Sequence, residues 1–342
     1  MISKERFILN IKIKKWTSGI ALMMVAVLLL CSCSTKQVET DSKKRLKVGI
    51  MLSSVGLGDQ SFSDAAFSGL IKAREENDIF FDYREPSDDL SFEQGFTELV
   101  KEDCELVVGL GFSVKESLEK VAKQYPNQKF LLIDETSELP NVTSLTFKEE
   151  EGSFLVGAIA GLTTKTNVVG FIGGEDVPLI KKFEKGFAEG VKATNPKASV
   201  MTEYAGDFGK ADLGAEIAGD MIKQKNVDTL YAAAGFTGVG VLQEAQKNSK
   251  YAIGVDTDQF FIAEKAVVTS MLKNVDVAIQ SAIKSYIDEN GKFPEKNMTF
   301  GLKEDGVGSA PIRVITLDPE KEKIFEDLKQ KLANGEITIP LD

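Results

Sequence analysis

From residue 46 onward the sequence alternates short apolar, β-branched runs with longer amphipathic stretches, and it does so in two successive rounds. In the first round, runs at 46–52, 79–83, 106–110, 129–133 and 142–146 are interleaved with helical patterns at 63–76, 92–102 and 114–124. Within the last helix Val114, Leu118, Val121 and Ala122 recur along one face. In the second round, strands at 168–172, 199–204, 229–233 and 251–255 alternate with helices at 179–193, 212–224 and 238–247. Brief strands joined by helices of this length pair in parallel, because each helix returns the chain to the starting end of the sheet. The class is therefore α/β with doubly wound parallel sheets. A chain of 342 residues exceeds what one core usually serves. The restart places a boundary near the glycine-punctuated apolar helix 149–164, "EEEGSFLVGAIAGLTT".

A strand at 267–271, a helix at 275–289, strands at 298–302 and 312–317 and a helix at 319–333 complete the pattern. The expected first lobe is 46–147 plus roughly 265–295, and the second 148–264 plus roughly 296–342. Pro/Gly-rich linkers are absent from the sequence, which predicts several crossings between the lobes and not a single tether.

Ahead of this body, Lys4, Arg6, Lys12, Lys14 and Lys15 precede the apolar run "GIALMMVAVLLL", too short to span a bilayer comfortably. The following Leu30-Cys31-Ser32-Cys33 resembles a bacterial lipobox. That resemblance implies that 1–32 is a signal peptide, that Cys33 is diacylated as the mature N-terminus, and that 33–45 is a polar tether. Two acyl chains anchor stably where one does not. The chain would then sit at the extracytoplasmic face of a bacterial cell membrane. Cys31 is the competing acceptor, but it would put bulky Leu30 where a small residue belongs; an uncleaved short anchor is the other alternative.

The chain contains no histidine, which removes Ser-His-Asp and Cys-His catalysis and imidazole metal sites. Its formal charge is −11 even with the basic leader counted, so a nucleic-acid partner is not expected. Cys104 stands alone in the body beside Leu106-Val107-Val108, reads as a small buried hydrophobe, and leaves no intramolecular disulfide. No P-loop motif occurs, and Gly109-x-Gly111 lacks the remainder of a dinucleotide fingerprint. No cofactor and no metal are implied.

In doubly wound sheets, ligands lie beyond the carboxyl ends of the strands. The residues there are Asp59-Gln60-Ser61-Phe62 in "GLGDQSFS", Gly109-Leu110-Gly111-Phe112-Ser113, Gly173-Gly174-Glu175-Asp176, Gly206-Asp207-Phe208-Gly209, Gly235-Phe236-Thr237-Gly238 and Asp256-Thr257-Asp258-Gln259. Each has a plain explanation: glycine for a turn, an acid as a helix cap, phenylalanine for a core, and Lys273 as a surface charge. Their recurrence at equivalent loops of both rounds instead points to a cleft of backbone donors, carboxylates and aromatic faces. Such a cleft suits a neutral, hydroxylated ligand with a flat ring. A phosphorylated ligand would call for more basic residues.

The words "GDQSFSDAAFSGL", "VVGLGF", "EEGSFLVGAIAG", "GFIGGEDVPLIKKFEKGFAEGV", "YAGDFGKADLG", "AAGFTGVGV", "IGVDTDQ" and "TSMLKNVD" resemble, in order, the basic membrane protein family. Its members are substrate-binding lipoproteins of nucleoside ABC transporters. The resemblance implies a type I periplasmic-binding-protein fold, with a hinge and an interlobe cleft. It assigns Phe62 and Phe208 to sandwiching a base, Asp59 to the base-binding loop and Asp256 to the ribose, and it matches Lys273 to the ligand-site lysine of the word "S-x-LK". Ser61 joins these as a ligand-binding residue of the same loop, and Gly111, Phe112 and Gly235 fall at positions of close backbone approach. Two places depart from the family pattern: Ser63-Asp64 where Asn-Gln is usual, and Phe236 where a glycine is usual, a ring expected to narrow the pocket. The implied partners are a nucleoside, a permease with a separate ATPase, and the membrane through the lipid; the protein is expected to be a monomer and not an enzyme. The alternatives are a receptor for another aromatic or sugar-like ligand such as riboflavin, and a lipoprotein sensor. A nucleoside-cleaving enzyme would have to place a metal on Asp256 and Asp258. A repressor sharing the fold would need the helix-turn-helix that this sequence lacks.

Overall fold

In the computed structural model, which describes residues 45–341, two six-stranded sheets repeat one design. The leader, Cys33 and the tether lie outside the described residues. The first sheet contains β1 (Lys47–Met51), β2 (Phe80–Arg84), β3 (Leu106–Leu110), β4 (Lys129–Ile133), β5 (Val142–Phe147) and a late strand, β11 (Asn297–Phe300), in the order β11-β5-β4-β3-β1-β2. The second contains β6 (Val168–Gly173), β7 (Ser199–Tyr204), β8 (Thr229–Ala233), β9 (Tyr251–Asp256), β10 (Val267–Lys273) and β12 (Val307–Ser309), in the order β12-β10-β9-β8-β6-β7. Strand pairing is parallel throughout except between β10 and β12. In each sheet the first strand of the round, β1 or β6, sits between its two successors, which creates a topological switch point.

The helices are α1 (Phe62–Asn77), α2 (Phe92–Lys101), α3 (Lys115–Gln124), α4 (Glu149–Thr163), α5 (Pro178–Thr194), α6 (Ala211–Lys225), α7 (Gly235–Lys247), α8 (Val275–Asp288) and α9 (Pro319–Ala333). Strands such as β3 and β8 are buried along their whole length, as sheets covered on both faces require.

The late elements correct the expected lobe boundaries. The stretch 265–295 divides: β10 lies in the second sheet beside β9, while α8 packs on α1 of the first lobe, its Asp276 backbone within 2.8 Å of where a Cβ on Gly69 would stand. Conversely, β11 belongs to the first sheet, paired with β5. Burial explains the exchange. β10 is buried at nearly every residue and fits an interior position, whereas β11 alternates and fits an edge. The chain therefore crosses between lobes three times, from β5 to α4, from β10 to α8 and from β11 to β12. The strand expected at 312–317 does not form. Pro311 cannot donate to a ladder and Val314 takes φ +69°, so the antiparallel edge is made earlier, by β12.

Glycines on both α4 and α5 allow the two helices to meet backbone to backbone. A Cβ on Gly157 would stand 2.2 Å from the Phe187 carbonyl oxygen, and one on Gly190 2.0 Å from that of Phe154. Gly190→Val is expected to lower stability by about 1–3 kcal/mol through overpacking, read as an earlier midpoint in urea; an unchanged midpoint would show that the helix pair yields.

Candidate ligand-binding cleft

The carboxyl ends of β1, β3 and β4 face those of β6, β8 and β9 across a cavity with about 650 Å³ free of protein atoms, part of it open to solvent at the mouth. Asp59, Phe62, Gly111, Phe112, Phe208, Gly235, Asp256 and Lys273 all line it. Ser61 does not: it is fully buried behind the wall, where its hydroxyl donates to Asp256 Oδ2. Its position in the chain suggested ligand contact, but its side chain instead fixes the acid of the opposite lobe.

Asp59 is also less free than its loop suggested. Its carboxylate accepts from the N–H groups of Ser61 (2.9 Å), Ser63 (2.7 Å) and Asp64 (3.2 Å), and so caps the N-terminus of α1. Burial raises its pKa, against the lowering effect of those backbone donors. The neighbouring Asp64 accepts from Gly58 N (2.8 Å) and Gln60 N (3.0 Å), and Ser63 Oγ meets Ser53 Oγ at 2.8 Å. The Ser63-Asp64 departure thus belongs to the scaffold of the loop.

The aromatic walls are set by backbone. Thr237 in the first turn of α7 donates its N–H to the Phe208 carbonyl (2.9 Å) and its hydroxyl to that of Asp207 (2.8 Å), which holds the loop. The Phe208 ring lies so close over Gly174 that a Cβ there would stand 2.2 Å from it. Phe112 and Phe208 are 6.1 Å apart between centroids and tilted by 58°. Gly111 (φ +95°) and Gly235 (φ +53°) hold conformations that side chains resist. Phe236 turns out of the cleft into a separate surface depression with Lys210, Leu213 and Glu216, so it does not narrow the cavity.

Lys273, read alone as a surface charge, is 2% exposed. Its Nζ lies 2.6 Å from Asp134 Oδ2 and 3.2 Å from Glu149 Oε1, and about 5 Å from the ring centres of Phe62 (5.0 Å) and Phe147 (4.9 Å). Burial opposes its charge, but Asp134, Glu149 and Asp256 outweigh that and raise its pKa. Burial pushes Asp256 up to about 6 and also raises Asp134, in both cases against the pull of Lys273. Asp134 Oδ1 is buried without a hydrogen-bond partner among the described residues. Asp258 is engaged by Arg313 at 2.8 Å and does not line the cavity that Asp256 lines.

Asp134, Phe183 and Glu149 were missed from the sequence. Asp134 directly follows β4 in "LLIDE", so the strand-end rule applied there would have found it. Glu149 stands in the acidic run that opens α4, yet it is fully buried between Lys273 and Lys182 (3.1 Å).

Residues 46–341 match the family model described as ABC transporter substrate-binding protein PnrA-like. The chain belongs to this family. Among its relatives, the CD4+ T-cell-stimulating antigen of Listeria innocua is 35% identical over 96% of this chain and 99% of that protein. The ABC transporter nucleoside-binding protein BmpA of Lactococcus lactis is 31% identical over 94% and 97%. A solved ABC transporter solute-binding protein from Aeropyrum pernix superposes with TM-score 0.78 at 28% identity, covering 87% of this chain and 94% of that one. The two-lobed periplasmic-binding-protein type I fold is thus shared by a member of the same transport class. The cavity lies beyond the carboxyl ends of the strands, the position at which doubly wound sheets in general take ligands.

Proposed function

We propose that this chain is a receptor that takes a nucleoside, with a purine favoured, into the interlobe cleft and delivers it to an ABC permease driven by a separate ATPase. It would be held at the outer face of the cell membrane by acylated Cys33 and act as a monomer, without catalysis. Asp59, Phe62, Gly111, Phe112, Phe208, Gly235, Asp256, Lys273 and the newly found Asp134 would meet the ligand, with Ser61 supporting Asp256.

The observation that carries this reading is Asp134: one buried oxygen is held by Lys273 and the other has no partner among the described residues, in a cavity walled by phenylalanine rings. A buried acceptor left open favours a ligand that brings a hydroxyl or N–H donor. The rings favour a flat heterocycle on the same molecule. The nucleoside-binding name of the Lactococcus relative points the same way.

The test is thermal stabilisation and calorimetry with inosine, guanosine, adenosine and riboflavin, with chromatography for any released base. Stabilisation by a purine nucleoside without turnover is expected. Phe208→Ala should weaken binding about tenfold to a hundredfold, the worth of one buried ring face, with the fold intact. Response to none of the nucleosides, or catalytic release of free base, overturns the reading.

A further inference from the structure

Behind the cleft, the two lobes touch through residues that do not line it. Gln259 is 3% exposed and belongs to the segment after β9. Its Oε1 accepts from Val255 N (2.9 Å), its Nε2 donates to the Gln60 carbonyl of the first lobe (3.0 Å), and its own N–H donates to Ser270 Oγ (3.1 Å). The same carbonyl accepts a weaker bond from Thr257 Oγ1 (3.3 Å). Gln60 stands at φ +54°, a conformation seldom adopted by a side-chain-bearing residue, and Asp64 fixes it from behind through its N–H. Gly254 makes the room: a Cβ there would stand 2.8 Å from Gln259 Oε1 and 2.6 Å from Ser270 Oγ. A glycine, a buried serine and a left-handed glutamine thus all serve one amide that spans the lobes.

We propose that Gln259 is a positioning residue that latches the lobes in the closed arrangement and sets how long a ligand stays. The inference rests on the receptor reading for what is retained, but not for the latch itself. The amide suits the task because it both accepts and donates. Its oxygen anchors it to β9 within its own lobe, which leaves the NH2 group to reach across. When the lobes part, water replaces the Gln60 bond, so the latch changes the closed population without contributing to ligand choice. The carbonyl it holds belongs to Gln60, the residue before Ser61, so closure at Gln60 and placement of the cavity acid are made by the same loop.

Gln259→Glu separates these roles. In its ionised form, favoured by working at pH 8 or above, the glutamate can still accept from Val255 N but cannot donate to a carbonyl, so the interlobe bond becomes a repulsion while the local anchor remains. With the full chain and inosine, guanosine and adenosine as probes, stopped-flow binding should show release about tenfold faster, entry within about twofold, and the order of preference among nucleosides unchanged. Hydrogen exchange of the peptides covering 56–64 and 255–262 should quicken in the variant, with and without ligand, while β3 and β8 keep their protection. Thr257→Val, which removes the weaker donor to the same carbonyl, should shift both readouts in the same direction by less. Unchanged release together with unchanged exchange overturns the latch, as does a reordered nucleoside preference, which would place Gln259 in recognition. If the wild-type chain takes none of the three nucleosides, the receptor reading fails, and the exchange data alone then decide the latch.

Discussion

Lys273→Met should cost about 3–5 kcal/mol of stability at pH 8, the usual penalty for removing one partner of a buried charge cluster. The lysine pairs with Asp134, shares Glu149 with Lys182 and also faces Asp256, and all three acids are buried. Methionine fills a similar volume, so the loss would report charge and not a cavity. The pH dependence identifies the cause. Asp256 has its pKa raised to about 6 by burial, and Asp134 is raised as well. A carboxyl that holds its proton more tightly folded than unfolded stabilises most below the ordinary carboxylate range, and that contribution is lost as pH rises through its folded pKa. Without Lys273 both groups would shift further up, because its charge is what pulls them down. The deficit of the variant should therefore shrink between pH 8 and pH 5, measured by urea unfolding at both. A deficit equal at the two pH values would mean that the side chain matters for packing alone.

The alternation of strands and helices was legible because each element obeys its own period, and strands at 106–110, 129–133, 199–204 and 229–233 fall on the observed bounds. The strand-end loops were legible for the same reason: parallel topology gathers them at one edge whatever their side chains do. Partners far apart in sequence were not. Ser61 carries a polar group expected of a contact residue, yet its hydroxyl is spent on Asp256, while Asp59 lines the cavity and also caps α1, and only the fold shows where a hydroxyl turns. Lys273 and Glu149 are residue types that usually face water, and burial as a pair is a property of neither alone. The sheet membership of β10 and β11 depends on three crossings between lobes, which a local pattern does not encode. Phe236 shows the reverse error, since a ring one position past Gly235 turns outward with the helix.

The same charges that make Lys273 costly to remove should exclude phosphate. Inosine 5′-monophosphate is expected to bind about a thousandfold more weakly than inosine, on the receptor reading. Asp59, Asp134 and Asp256 line the cavity, and the remaining wall is largely apolar, with Val55, Leu179, Ile180, Phe183 and Val255. Lys273 is already shared by carboxylates at 2.6 and 3.2 Å, and the α1 N-terminus, which would otherwise attract an anion, is occupied by Asp59. A phosphate entering here would shed its water and meet like charge, a cost of several kcal/mol, about three decades in affinity. Two conditions separate this from simple repulsion by an acidic surface. Raising salt to about 0.5 M screens exposed charges over a few ångströms but barely reaches buried ones, so the gap should persist. Lowering the pH to 5 protonates Asp256, whose pKa lies near 6, and moves the phosphate toward its monoanion, so the gap should narrow. Calorimetry of both ligands at two salt concentrations and two pH values decides it. A gap erased by salt would move the discrimination to the surface, and equal affinity in all conditions would mean that the buried acids do not read the ligand's charge.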